Sequence, residues 1–169
     1  MQQNGSELSE AAFLAFVRAS VLFRNRMDPY FAQFGISGAQ MGVLRVLHRA
    51  ETEGLEGLRV TELGRRLLVR PPSITNVVDR LERTGLVARS TSTDDRRAKC
   101  VALTPSGRRV VGKVLKRHPG QIRAILACLD QNEQRDLHRL MSKLAAHLEA
   151  LECAKPEGLS PSPRGGLRQ

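Results

Sequence analysis

The 169-residue sequence has no tryptophan, one tyrosine and five phenylalanines. This shortage of aromatic side chains argues against a protein that binds single-stranded nucleic acid by stacking bases on aromatic rings. No apolar run approaches the roughly 20 residues of a membrane-spanning helix, and the N-terminus lacks the basic-then-apolar pattern of a secretion signal. These absences predict a cytoplasmic protein without a membrane partner.

Cysteine and histidine are too few and too scattered to predict a disulfide framework or a metal site. The three cysteines, Cys100, Cys128 and Cys153, lie far apart, and the four histidines show no metal-ligand spacing. The sequence also lacks a glycine-rich phosphate loop, a nucleophile elbow and paired carboxylates in an apolar setting. We therefore predict no enzyme activity, no metal ion and no cofactor.

Basic residues are in clear excess. Lysine and arginine number 27 against 17 acidic residues, which gives a net charge of +10. A polyanionic partner would explain the excess through phosphate neutralisation and counterion release, but a surface that only keeps the protein in solution explains it equally well. The basic residues cluster between Arg59 and Arg123, whereas the segment after Asp130 mixes both signs. This uneven distribution favours a nucleic-acid partner.

Two helices are predicted in the N-terminal part of the chain. Apolar residues near the 3.6-residue period predict a helix over about residues 7–34, kinked at Pro29 and ended by Gly35. Ser37 with Gln40 three residues later has the pattern of a capping box, which opens the second helix.

The middle of the chain predicts a helix, a turn, a second helix and a β-hairpin. A short extended piece at residues 58–60 precedes a helix over 62–68, with Thr61 as its N-cap. Pro71 suits the first position of the next helix, which stops at Gly85. The hairpin strands are predicted at residues 86–90 and 99–104. This order of elements is typical of a winged helix-turn-helix.

Two more helices are predicted in the C-terminal part. Thr104 and Pro105 open the first of these helices, and the pair Pro119-Gly120 should kink or break it. Asp130 with Glu133 forms a second capping box before a helix whose leucines follow a near-heptad spacing. Together with the apolar first helix, this stripe exceeds what one small lobe can bury, which predicts a homodimer.

The predicted fold class is therefore mainly α with a small β-hairpin wing, that is, a winged helix-turn-helix lobe plus a helical dimerisation region. The assignment by residue number is a dimerisation region at 7–35 and 104–152, a DNA-binding lobe at 36–103, and a disordered tail at 153–169 that is rich in proline, glycine and serine.

Three consecutive pieces of sequence, VTELGRRL, PPSITNVVDRLERTGLV and DDRRAKCVALTPSG, resemble the MarR family of bacterial regulators. The last piece matches the family's Asp-x-Arg wing signature at Asp95 and Arg97, and its Leu-Thr-x-x-Gly exit at Leu103, Thr104 and Gly107. The resemblance implies a homodimer in which the first and last helices form the interface and two winged lobes straddle a DNA duplex. It implies a nucleoid-associated, sequence-specific regulator, in particular a repressor on pseudo-palindromic operators.

The second helix of the helix-turn-helix carries the predicted base-reading residues. Ile74, Val78 and Leu81, with Val77, should face the core, so the opposite side faces DNA. Short polar side chains there suit base edges, and arginines suit phosphates, with Asp79 as the i,i+4 partner of Arg83. The predicted DNA contacts on this helix are Ser73, Thr75, Asn76, Arg80 and Arg83.

Five further DNA contacts are predicted before this helix and in the wing. Arg70 stands where family members often have an N-capping Ser, Asp or Asn, so capping is weaker there and its guanidinium can instead hold a phosphate. By the resemblance, Arg97 enters the minor groove with Asp95 as its orienting partner. Arg96 and Lys99 are additional phosphate contacts.

The resemblance also implies a small-molecule effector, largely apolar or an aromatic acid, which releases the DNA. Its predicted site lies where the first and second helices and the start of the fifth meet the winged lobe, lined by Phe23, Met27, Tyr30, Met41, Leu44 and His48. For any single one of these residues, packing in an ordinary core is the commoner role. Two other functions stay open, namely a cysteine-based redox sensor of the same fold and a winged helix used for protein contacts.

Overall fold

A computed structural model describes residues 3–67, 71–91 and 99–153 of the chain. Within these residues, six helices and three short strands confirm the predicted fold class. The helices are α1 Gln3–Ala32, α2 Gly38–Thr52, α3 Val60–Leu67, α4 Pro71–Arg83, α5 Pro105–Ile125 and α6 Gln131–Cys153. The strands are β1 Leu58–Arg59, β2 Val87–Thr91 and β3 Lys99–Leu103.

The three strands form an antiparallel sheet in the order β1-β3-β2. Val101 in the central strand is opposite Leu58 on one side and Arg89 on the other, and Leu103 is opposite Val87. Directly opposed residues project from the same face of a sheet. Leu58, Val87, Val101 and Leu103 are buried, so this face is the one that packs against the helices.

The core lies between this face of the sheet and the helices of the winged lobe. In α4, Ile74, Val78 and Leu81 are buried as predicted, while Val77 is half-buried. Burying a side chain of this size contributes roughly 1.5–3 kcal/mol relative to leaving it exposed. The other largest fully buried side chains are Val43, Leu44, Leu47, Leu63, Val87, Val101, Val111 and Val114.

Both predicted capping boxes are present. Ser37 N donates to Gln40 Oε1 at 2.8 Å, and Gln40 N donates to Ser37 Oγ at 3.2 Å. Asp130 N donates to Glu133 Oε2 at 2.8 Å, and Glu133 N donates to Asp130 Oδ1 at 2.9 Å. Each box satisfies two backbone N–H groups at a helix start, which fixes where α2 and α6 begin.

Two details of the predicted helices are wrong. Thr61 is not an N-cap, because α3 begins at Val60 directly after β1 and places Thr61 in its first turn. The proline–glycine pair at Pro119 and Gly120 does not break α5, which continues to Ile125, while a kink at this pair stays a prediction. Proline removes only one backbone hydrogen bond of the helix, and the turns before and after it keep theirs.

Two compact units divide between Ile122 and Arg123, within the last turn of α5. The first contains α1, the winged lobe and most of α5, and the second contains α6. None of the described helices combines the length and apolarity that crossing a membrane requires. The predicted tail beyond Cys153 and the wing residues 92–98 lie outside the described residues. The division into dimerisation and DNA-binding regions stays a prediction.

Candidate nucleic-acid interface and effector groove

Helix α4 has one buried face and one exposed polar face. Because Ile74, Val78 and Leu81 anchor it in the core, the residues on the opposite side of the helix point outward. The structure thereby brings five of the ten predicted DNA contacts together on one helix, all of them exposed: Ser73, Thr75, Asn76, Arg80 and Arg83. This surface offers hydroxyl and amide groups toward the start of α4 and guanidinium groups toward its end.

The structure does not place the side chains of the other five predicted DNA contacts. Arg70, Asp95, Arg96 and Arg97 lie outside the described residues. Lys99 is the first residue of β3, where its backbone pairs with Thr91 of β2. The predicted roles of these five residues stay predictions.

Arg89 of β2 forms an ion-pair cluster with two carboxylates of α4, which we call the Arg89 cluster. Its Nη2 donates to Asp79 Oδ1 at 2.5 Å, and its Nη1 donates to Glu82 Oε2. The hydrogen bond to Asp79, followed by that to Glu82, raises the pKa of the Arg89 guanidinium, although burial opposes this. The i,i+4 spacing predicts Asp79 as the side-chain partner of Arg83, but the Asp79 carboxylate binds Arg89. Arg83 Nε instead donates to the Asp79 backbone carbonyl at 3.4 Å.

The sequence carries a signal for this cluster in the spacing of its residues. Residues 87 and 89 are two apart in a strand, so both project from the face that packs on the helices. An arginine at such a position needs acidic partners on the facing helix, because a charge taken out of water must be paired. Asp79 and Glu82, three residues apart on α4, are on one side of that helix and satisfy this need.

Three other arginines, on α2, α3 and α5, form ion pairs that involve no residue of α4. Glu53, at the end of α2, accepts from Arg49 Nε at 2.9 Å and from Arg66 Nη1 at 3.2 Å. These two hydrogen bonds, Arg49 first, lower the pKa of the Glu53 carboxyl. Arg108 of α5 binds Glu51 at 2.8 Å. The Arg66–Glu53 pair joins α3 to the end of α2, and the Arg108–Glu51 pair joins α5 to α2, so these two arginines have structural roles.

A groove of about 290 Å³ lies between α1, α2 and α5. Of the six predicted effector residues, Phe23, Met27 and Met41 line it. Tyr30 and Leu44 are buried in the core, and His48 is half-buried; these three are not among the lining residues. The remaining lining residues are Arg24, Asp28, Phe31, Gly38, Gly42, Arg45 and His118. The groove therefore combines an apolar floor with basic side chains.

His118 is the lining residue that sequence reasoning missed. Its ring stacks on Phe31 with centroids 6.1 Å apart, and its buried Nδ1 has no hydrogen-bond partner among the described residues. Burial, followed by the charge of Arg45, lowers the pKa of His118. The sequence signal is its spacing from the buried Val111 and Val114, since residues at i, i+3 and i+7 share one helix face.

Two helices present exposed apolar side chains, and each is described by itself. On α1 these are Leu8, Phe13, Leu14, Phe16, Val17, Val21, Leu22 and Phe23. On α6 they are Leu137, Leu140, Met141, Leu144, Leu148 and Leu151. Contiguous apolar patches of this kind mark interaction surfaces.

Comparison with known proteins places this architecture in a family. The family model described as "MarR family" matches residues 34–98, which include α2, α3, α4 and the hairpin strand β2. The HTH-type transcriptional repressor MdtR of Bacillus subtilis is 31% identical over 118 residues, 70% of this chain and 73% of that protein.

Solved structures agree. A probable transcriptional regulator from Pseudomonas aeruginosa is 26% identical, with a TM-score of 0.72 over 81% of this chain and 98% of that one. The fold also matches a mutant MarR from E. coli complexed with operator DNA, at 22% identity and a TM-score of 0.71 over 82% of this chain and 95% of that one. The chain belongs to the MarR family of winged helix-turn-helix regulators, and it is a DNA-binding transcription regulator.

Proposed function

We propose that this regulator is a repressor that binds a pseudo-palindromic operator as a homodimer and releases it when a small, largely apolar or aromatic-acid ligand binds. The observation that carries the proposal is the exposed polar face of α4 on a helix whose other face is fully anchored in the core. A rigid helix with exposed short polar side chains is suited to the major groove. The relative MdtR is named a repressor, which supports the direction of regulation.

Operator reading is assigned to the exposed face of α4. Asn76 is suited to a bidentate contact with an adenine edge, and Ser73 and Thr75 to bases or phosphates. Arg80 and Arg83 are suited to phosphates, which set the register of a protein on the duplex. The assignment of Arg97 to the minor groove, with Asp95 orienting it, continues this surface into the wing.

Homodimer formation is assigned to the apolar faces of α1 and α6. Each exposes large side chains along most of its length, for example Phe13 on α1 and Leu144 on α6. A second copy of the chain is the occupant we propose, because a two-fold dimer presents two recognition helices to half-sites roughly 10 base pairs apart.

Effector binding is assigned to the groove between α1, α2 and α5. Met27, Phe31 and Met41 offer an apolar floor, and Arg24 and Arg45 are basic groups suited to a carboxylate. A ligand that prefers a lobe arrangement unable to fit the duplex lowers DNA affinity by its differential binding energy, typically about 1–3 kcal/mol.

Selection of bound fragments from a random duplex library tests the proposal. The full-length protein at physiological salt should enrich one inverted repeat with half-sites about one helical turn apart. The matched control is Asn76→Ala, which should enrich the same repeat with one base position per half-site relaxed. Enrichment of no sequence by the folded parent protein, or of a single unrepeated site, would contradict the proposal.

A further inference from the structure

The Arg89 cluster joins the wing to the helix that we assign to operator reading. Arg89 lies on the inner face of β2, two residues after the buried Val87 and opposite the buried Val101. Only a quarter of its side chain is exposed. A guanidinium in this position is committed to partners inside the protein.

Those partners are both on α4, and they hold Arg89 at three points. Asp79 Oδ1 accepts from Nη2 at 2.5 Å, Glu82 Oε2 accepts from Nη1, and Glu82 Oε1 accepts from the Arg89 backbone N–H at 3.3 Å. Charge-assisted hydrogen bonds from the planar fork of an arginine restrict orientation as well as distance. The first strand of the wing and the second half of α4 are thereby held in one relative position.

We infer that Arg89 is a positioning residue for DNA binding: it keeps the wing and α4 in the relative orientation that a half-site requires, without touching DNA itself. The inference rests on the proposed operator-reading role of α4. A half-site that is read in the major groove by one element and in the minor groove by the other tolerates little change in the angle between them. A small misplacement costs specific contacts, while phosphate attraction is hardly affected.

A charge-compensated variant separates positioning from electrostatics. Asp79, Glu82 and Arg89 together carry one negative charge, and the triple variant Asp79→Asn, Glu82→Gln, Arg89→Gln carries none, so it attracts phosphates at least as well as the parent. The control variant Glu51→Gln, Arg108→Gln removes a comparable ion pair that does not involve α4. Both are compared with the parent on the selected operator and on a random duplex, well below their unfolding temperatures.

The expected result is that the triple variant binds the operator about tenfold more weakly, while its random-duplex affinity does not fall and the control variant matches the parent on both duplexes. Equal operator binding by the folded triple variant and the parent would overturn the inference. So would full operator affinity in Arg89→Lys, which keeps the charge but lacks the fork.

Hydrogen exchange without DNA gives a second readout. The triple variant should exchange the amides of β2 and of the end of α4 faster than the parent, with α2 unchanged. Unchanged exchange in β2 and α4 would overturn the inference even if no operator is found. If the parent selects no duplex but the variant exchanges faster, the proposed operator binding is wrong. The coupling between the wing and α4 is then still supported.

Discussion

Thr104 Oγ1 donates a hydrogen bond of 2.7 Å to the backbone carbonyl of Gly85. Gly85, at φ +68°, is where the chain leaves α4 for the wing, and Thr104 is where it leaves the wing for α5. The same hydroxyl accepts from the Gly107 backbone N–H at 3.0 Å and so caps α5. One side chain therefore closes the base of the wing and starts the next helix.

Gly107→Ala should destabilise the protein strongly. A Cβ at this position would lie 2.0 Å from the Leu86 carbonyl oxygen, which itself accepts from Thr104 N at 3.1 Å. Relief requires a shift of α5 away from Leu86, at a cost of about 3 kcal/mol or more. The control Gly112→Ala, on the same helix with open space around its Cβ, should stabilise by about 0.5–1 kcal/mol. Urea unfolding checks both, and equal effects would contradict the close-approach argument.

Leu144→Asp on α6 should weaken the proposed homodimer. A carboxylate in an apolar interface must be desolvated without a partner, so the monomer should dominate at concentrations where the parent is dimeric. Ser142→Asp introduces the same charge about 160° away around the helix, by the 3.6-residue period, and should keep the dimer. Sedimentation velocity distinguishes them. A parent that sediments as a stable monomer at micromolar concentration refutes the homodimer.

Protein stability should fall as the pH drops below about 6.5, partly through His118. Burial, followed by Arg45, holds the folded-state pKa of His118 below its ordinary value of 6.5. The unfolded chain then binds more protons between these two pKa values, so acidification through that window favours unfolding. His118→Gln should reduce the loss in free energy of unfolding between about pH 7.5 and about pH 5.5. His147→Gln, an exposed histidine of α6, serves as the control, and an identical loss in all three proteins contradicts the prediction.

Substitutions at the DNA surface should differ in what they change. Arg97→Ala should weaken operator binding by about 1–3 kcal/mol, whereas Asn76→Ala should relax one base preference per half-site. Arg96→Ala or Lys99→Ala should weaken binding evenly across sequences and flatten its salt dependence. Fluorescence anisotropy with operator and mismatched duplexes measures both effects. If Arg97→Ala binds the operator as tightly as the parent at physiological salt, the assignment of Arg97 to the minor groove is wrong.

Release of DNA by the effector should not need cysteine. Cys100 is a half-buried residue of β3 and Cys128 an exposed residue of the turn after α5, and both thiols are free. The variant Cys100→Ser, Cys128→Ser, Cys153→Ser should release DNA with aromatic acids as the parent does. Release of parent DNA by peroxide, with no response from the triple variant, would establish the redox sensor instead.

The predictions that succeeded rest on short-range interactions. Ser37 with Gln40 and Asp130 with Glu133 satisfy backbone groups three residues away, so their spacing in the sequence is enough to place two helix starts. The glycine stops rest equally on local backbone geometry. The winged order of elements follows from these local signals together with the hydrophobic period.

The predictions that failed or stayed incomplete depend on contacts between elements. The spacing along the helix predicts Arg83 as the partner of Asp79. The structure pairs Asp79 with Arg89, which lies on β2, seven residues after Glu82. Periodicity likewise places Met41 and Leu44 on one side of α2, but it does not show which of them borders the groove. Both are buried, but Met41 borders the groove and Leu44 does not.

The ladder from Val87↔Leu103 to Thr91↔Lys99, closed at its base by Thr104 and Gly85, makes the wing a hairpin inserted between α4 and α5 in the chain. Among the described residues, Thr104 and Gly85 hold the hairpin at its base, and Arg89 holds it on its inner face. The described contacts between the hairpin and the rest of the lobe are therefore made by its strands and by the residues that flank them. A regulator built in this way carries its wing as a module, whose attachment to the lobe depends on a few identifiable side chains.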